Sequence, residues 1–276
     1  MKFGTHISIA GGLDMAPKRA NDLGCECFQL FTRSPRGGQP SRLDDEVIEN
    51  FLSDCKKFNI ENYYVHTPYF INLASLDTKI RNNSIRLIRE DLERSSLLKV
   101  KSIMTHLGSS KGMDRKDALK NVAESVVKIL DGYTGSSVLM LENSAGQGDT
   151  IGDTFEEVAE ILHLADNNGV GVCIDTAHMF GAGYDLRDKK SLDETLSKIE
   201  NSFGLDRVML IHGNDSKVGL GERKDRHEHL GKGKIGEGGF KAIVEDSRLS
   251  NLDIIVENPP EEVAHDIELL KQLRDK

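Results

Sequence analysis

Val172-Cys173-Ile174-Asp175-Thr176-Ala177-His178 is a short apolar run that stops at a carboxylate, with an imidazole three residues further on. Read as a buried strand passing into a loop, it places two side chains of metal-ligand type at the strand's C-terminal end. The same event recurs along the chain. Apolar runs end in His66 (YYVHTP), His106 (SIMTHLG), Glu142 (VLMLEN), Asp175 (VCIDTAH), His212 (VMLIHG) and Glu257 (DIIVEN).

Working outward from these runs, hydrophobic pattern and breakers predict eight alternations of strand and helix. Strands are expected near 3–9, 25–31, 62–67, 101–106, 137–142, 170–175, 207–212 and 252–257. Helices are expected near 14–23, 44–58, 78–98, 116–131, 154–168, 190–202, 239–247 and 261–274. Asp153-Thr154 reads as a helix start, as does Pro260, and Gly24 and Gly169 stand near element ends. Such alternation implies a parallel sheet with right-handed crossovers. An open sheet binds ligands at one or two switch points, whereas only a closed ring makes six strand ends converge. The expected fold is therefore α/β, a single (β/α)8 TIM barrel spanning 1–276, with a metal site at the C-terminal strand ends.

The length of 276 residues suits such a barrel, which takes about 250. A hydrophobic fraction of 38% and a charged fraction of 29% are those of a soluble globular chain. The net charge of −9 argues at face value against a nucleic-acid partner, but bound divalent cations would offset several carboxylates. Cys25, Cys27, Cys55 and Cys173 have no zinc-knuckle spacing and read as buried, reduced thiols. The N-terminus reads as strand and turn, and no run approaches the ~20 apolar residues of a membrane span. A cytoplasmic protein without membrane contact is expected.

Each strand-end residue taken alone is weak evidence, but the set is not. Four to six ionisable groups in one small mouth would repel or neutralise one another, and a divalent metal removes that conflict. His178 adds a ligand beyond Asp175. Asp225 and His227 add two more from the long connection 213–239. Five imidazoles and four carboxylates without thiolate exceed one tetrahedral site and suit two or three zinc or manganese ions with open positions. Clustered ions about 3.5–4 Å apart activate water and clamp both oxygens of a phosphoryl transfer. His6 ends the first strand and could support the ligands, His163 and His265 fall in helix patterns without a role, and His229 is close enough to Asp225 and His227 to touch a phosphate.

The segment Gly231-Lys232-Gly233-Lys234-Ile235-Gly236 matches GxGxxG, with Glu257 about 20 residues on. That fingerprint needs a strand just before it, and DRHEHL is none. The loop, through Lys232, is read instead as an approach to a phosphate backbone.

At this point the blocks GTHISIAGGL, QLFTRSP, VHTPYFINLAS, LENSAGQG, DTAHMFGAGYD, HGNDSK and DRHEHLGKGKIG resemble endonuclease IV, the zinc-dependent apurinic/apyrimidinic endonuclease family, along nearly the whole chain. The resemblance implies a trinuclear zinc site that hydrolyses the phosphodiester 5′ to an abasic site in double-stranded DNA, leaving a 3′-hydroxyl and a 5′-deoxyribose phosphate. It implies one zinc on His66, His106 and Glu142, and a second on Glu142, Asp175, His212 and Glu257. A third falls to His178, Asp225 and His227. Glu142 and Glu257 are then the catalytic carboxylates. Arg36, Tyr69 and Phe70 match the positions that enter the minor groove and help extrude the abasic nucleotide, and a monomer is expected.

Where the family commonly carries a bulky residue after the arginine, this chain has Gly37-Gly38-Gln39-Pro40 and no Trp anywhere. Leu107, Gly213 and Asn258 also depart from the usual residues beside ligands, which is expected to loosen the support of those ligands. Two other functions compete. A xylose-isomerase-like sugar isomerase or epimerase on the same barrel would leave His178, Asp225 and His227 without work. A module that binds damaged DNA without cutting has only the altered glycine loop in its favour.

Overall fold

In the computed structural model, which describes residues 1–166 and 169–275, the strands close into a ring. They are β1 (Phe3–Ile7), β2 (Cys27–Leu30), β3 (Asn62–His66), β4 (Ser102–Thr105), β5 (Val138–Glu142), β6 (Gly171–Asp175), β7 (Val208–His212) and, last in the chain, β10 (Ile254–Val256). All pairings in the ring are parallel and follow chain order, with β10 closing against β1. Helices α1 (Ala16–Asp22), α2 (Asp45–Lys57), α3 (Thr78–Leu97), α4 (Arg115–Leu130), α5 (Phe155–Ala165), α7 (Lys189–Ser202), α8 (Gly236–Glu245) and α9 (Val263–Arg274) cover it outside. Several begin as their sequences dictate. The side chains of Asp44, Asp77, Asp114, Thr154 and Asp188 each accept a backbone N–H of the first turn.

The expected TIM barrel is the observed fold, with three local differences. The stretch after Asp175 is a helix, α6 (Thr176–Ala182), rather than a loop. Asp175 both ends the strand and caps the helix, its Oδ1 accepting from His178 N at 2.8 Å. Pro260 lies in a turn, and α9 starts at Val263 because its first backbone bonds return to the carbonyl of Glu262. The long connection after β7 holds a small antiparallel ribbon, β8 (Asp215–Ser216) against β9 (His227–Glu228). The expected helix end at 167 and 168 lies outside the described residues.

Inside the ring, alternate side chains point inward. Cys27, Tyr64, Met104, Met140, Cys173, Leu210 and Ile255 form one fully buried layer. Two residues beyond each of them stand Gln29, His66, His106, Glu142, Asp175, His212 and Glu257. On β1 the layer is completed by Gly4, where a Cβ would collide with the Cys27 carbonyl oxygen, and two residues on stands His6. All eight strands therefore deliver a polar side chain to one level of the barrel mouth. The apolar layer beneath keeps that level dry from below.

Candidate metal centre

Glu142 occupies the middle of this level, its side chain fully buried. Its Oε2 lies 3.1 Å from His106 Nε2 and 3.5 Å from His66 Nε2, while its Oε1 lies 2.8 Å from His212 Nδ1. Asp175 and Glu257 approach the same His212 nitrogen at 4.0 and 3.2 Å. On the outer side, His178 Nε2 is 3.3 Å from Asp225 Oδ2, and His227 Nε2 is 3.1 Å from Asp225 Oδ1. The residues expected from sequence are thus brought together. His66, His106 and Glu142 form one group with ligand atoms within 4.8 Å of one another, and Glu142, Asp175, His212 and Glu257 form a second. A third joins His178 and His227 to Asp175, which lies closer to that pair than the sequence grouping implied. His163 and His265 sit on α5 and α9, outside these groups.

Backbone contacts aim two of the imidazoles. His66 Nδ1–H donates to the Thr67 carbonyl at 2.5 Å, and His178 Nδ1–H donates to the Asn143 carbonyl at 2.9 Å. Both therefore turn Nε2 toward the carboxylates. Asparagines that the sequence reading passed over hold the acids. Asn143 Oδ1 accepts from Asp175 N at 2.7 Å, and Asn214 Nδ2 donates to Asp175 Oδ2 at 2.6 Å. Asn214 Oδ1 also accepts from Glu257 N at 2.8 Å.

The charges interlock. Burial would raise the Glu142 carboxyl, but His212 and His106 hold it well below the usual carboxylate range. Burial likewise opposes the charge on Glu257, yet His212 and His66 bring it to about 2. His178 moves the other way. Against burial, Asp175 and Asp225 push it up to about 10. His6, remote from any partner of that strength, is driven down to about 3 by burial. Cys173 neighbours Glu142 and His212, but burial pushes its thiol up to about 12, so it stays protonated and is a poor ligand.

Two buried atoms decide whether metal fits here. Glu142 Oε2 and His227 Nε2 have no hydrogen-bond partner among the described residues, although each faces groups of metal-ligand type. A buried polar atom without a partner costs free energy, and an ion held by the ligand group around each atom would satisfy it. The donor set, imidazole and carboxylate only, suits zinc or manganese. The residues present fit a metal centre.

Around the mouth, Tyr69 and Phe70 are exposed aromatics at 59% and 45%. Phe70 lies beside the glycine loop, its Cε1 3.8 Å from where a Cβ on Gly37 would stand. Arg36 is exposed. His229 is held by Asp266, 2.7 Å from its Nδ1, and Lys232 pairs with Glu262. The glycine loop 231–236 is explained by Asp215. This buried carboxylate accepts the backbone N–H groups of Gly231, Gly233, Ile235 and Gly236, so the cradle that resembles a phosphate loop is filled from within. Of the sequence departures, Leu107 is buried in the core, a Cβ at Gly213 would clash with Ile254 Cγ2, and Asn258 donates to Asp266 at 3.0 Å.

A closed parallel barrel carrying imidazole–carboxylate clusters at its C-terminal mouth defines a xylose isomerase-like TIM barrel, and the family of that description matches residues 17–273. The "probable endonuclease 4" of Aquifex aeolicus is 38% identical over 260 residues, covering 94% of this chain and 92% of that one. That of Halothermothrix orenii is 36% identical, covering 99% of each. The crystal structure of endonuclease IV from Thermus thermophilus superposes with a TM-score of 0.89 at 33% identity, covering 100% of this chain and 99% of that one. The chain belongs to the endonuclease IV family. A D-tagatose 3-epimerase-like protein, at 20% identity and a TM-score of 0.77 over 100% of this chain and 97% of that one, shares the fold alone.

Proposed function

We propose that this protein is an AP endonuclease of DNA repair, cutting the phosphodiester 5′ to an abasic site in duplex DNA to give a 3′-hydroxyl and a 5′-deoxyribose phosphate. The observation that carries the reading is Glu142. One buried carboxylate faces His66 and His106 with one oxygen and His212 with the other, so it could serve both ligand groups. His66, His106 and Glu142 would hold one zinc, Glu142 with Asp175, His212 and Glu257 a second, and His178, Asp225 and His227 a third, with manganese able to replace zinc at one or more of them. Bound there, the ions supply Lewis acidity and a nucleophile at neutral pH.

The chain's own residues do the rest. Glu257 stands at the edge of the cluster, with one oxygen toward His212, and is assigned to orient the attacking water and take its proton. Tyr69 and Phe70 supply the apolar surface that unstacks a base step, and a nucleotide without a base is the easiest to extrude. Arg36 follows the backbone in the groove, and His229 and Lys232 are assigned to flanking phosphates, Lys232 on exchanging Glu262 for the phosphate. The protein is read as a cytoplasmic monomer. No helix of the described residues is long and apolar enough to cross a membrane.

The test is a labelled duplex bearing one abasic-site analogue, incubated with metal-loaded protein before and after chelation. Incision on the 5′ side leaving a 3′-hydroxyl, lost on chelation and absent from undamaged duplex, supports the proposal. A metal-loaded protein that leaves the duplex intact refutes it. Ketose epimerisation by that sample would then favour the sugar reading, and salt-dependent binding without cleavage the binding module.

A further inference from the structure

We infer that Gln29, a fully buried amide on β2, is a positioning residue that decides which nitrogen of His212 and which oxygen of Glu257 face the metal centre. The inference rests on the metal-centre reading above, but its geometry does not. A carboxylate only accepts hydrogen bonds, and Glu257 Oε1 lies 2.7 Å from Gln29 Nε2. The NH2 end of the amide therefore faces Glu257. The same NH2 group lies 3.0 Å from His6 Nδ1, so that nitrogen accepts and the neutral His6 ring carries its proton on Nε2. At the other end, Gln29 Oε1 can only accept, and it lies 2.8 Å from His212 Nε2. His212 must donate through Nε2. Its Nδ1 is left facing the centre, 2.8 Å from Glu142 Oε1 and 3.2 Å from Glu257 Oε2.

This sets His212 opposite to its neighbours. His66 and His178 commit Nδ1 to carbonyls and present Nε2, whereas His212 commits Nε2 to an amide and presents Nδ1. Gln29 does this without adding charge to a crowded site, and it ties together His6 on β1, His212 on β7 and Glu257 just past β10. A glutamate in its place would still accept from His212 but could not donate to Glu257 or His6. An alanine would leave all three without the contact. Such supporting partners fix the tautomer of a ligating histidine, and losing one costs about 10–100-fold in metal affinity or activity.

The experiment uses full-length protein labelled with ¹⁵N-histidine, metal-free and zinc-loaded, as wild type, Gln29→Ala and Gln29→Glu. Two-bond ¹H–¹⁵N spectra report the tautomer of each ring, and chelator competition reports zinc affinity. Zinc-loaded wild type is expected to show His212 protonated at Nε2, with His66 and His178 protonated at Nδ1. Gln29→Ala is expected to lose the His212 assignment, bind its weakest zinc about 10–100-fold less tightly and lower kcat more than it raises KM. Gln29→Glu is expected to keep the His212 tautomer but move the His6 proton to Nδ1. Zinc-loaded wild type with His212 protonated at Nδ1 overturns the inference without any variant, as does a folded Gln29→Ala with wild-type zinc affinity. A wild type that takes up no zinc refutes the metal-centre reading instead. The amide's orientation is then judged on metal-free protein, where His6 protonated at Nδ1 overturns it.

Discussion

Glu142 concentrates the chemistry at the scale of single residues, because its buried carboxylate faces imidazoles with both of its oxygens. Glu142→Gln keeps the shape and removes the charge that a metal ion held there would need. Incision is expected to fall about 100-fold or more, with fewer zinc ions retained per chain and a circular dichroism spectrum still that of a folded barrel. Metal content measured beside turnover separates a lost ligand from a lost fold. The imidazoles add a pH dependence. In metal-free protein the folded-state value of His178 is raised from 6.5 to about 10 by Asp175 and Asp225 against the effect of burial. The stability this contributes is fully present below about pH 6.5 and is lost as pH rises through about 10. The metal-free melting temperature should therefore decline across that window. Zinc must displace the same proton, so proton release on zinc binding, read by calorimetry in buffers of different ionisation enthalpy, should diminish as pH approaches 10. A metal-free protein whose melting temperature rises over this window would contradict the assignment.

Two connections carry the site at the scale of elements, and each is held by one buried acid. Asp215 organises the return of the long loop after β7, which brings Asp225 and His227 to the mouth. Asp215→Ala leaves several backbone N–H groups without their acceptor. It should cost about 3 kcal/mol in chemical denaturation and open the loop to protease. Gly233→Ala should act in the same direction, since its Cβ would collide with Asp215 Oδ1. The connection after β2 is rooted by Arg33, buried and bonded through Nε to Asp91 Oδ1 on α3 at 2.7 Å, with Thr32 Oγ1 donating to the same oxygen at 2.6 Å. Asp91→Ala leaves the buried Arg33 guanidinium with only the partly exposed Glu90, 3.0 Å from its Nη2, and a loss of about 3 kcal/mol is expected from equilibrium unfolding. Asp91→Ala at wild-type stability would mean that Glu90 alone suffices to hold Arg33. The helix α6 and the ribbon of β8 and β9 were illegible in sequence for a physical reason. The first is too short to show a period, and the second forms only because Asp215 folds the loop back.

At the scale of the whole molecule, the barrel gathers acids on a chain already at −9, and under the proposed function divalent ions would make its mouth tolerable to a phosphate backbone. Chelation should therefore weaken binding to an abasic duplex, measured by fluorescence anisotropy at one salt concentration, as well as abolish cutting. Undiminished affinity after chelation would place the DNA surface away from the centre. How the site is divided between chain and fold follows from the range of each interaction. Strand alternation is local, so an inward apolar residue followed two positions later by a ligand-type side chain could be read from VLMLE or VCID directly. With it came the barrel and the six ligand-type residues at strand ends, while His178 was read just past Asp175 and Asp225 and His227 from the long connection. The sequence reading met His6 at the end of β1 but missed Gln29, because CFQLF continues past it and an amide is no metal ligand, although it stands two residues beyond Cys27 like the others. Which side chains meet across the ring is set by closure and register between strands distant in the chain, and those hydrogen bonds have no sequence period. The pairing of Asp175 with His178 and His227, the aspartate that fills the glycine loop and the amide that orients His212 were therefore decided by tertiary structure alone.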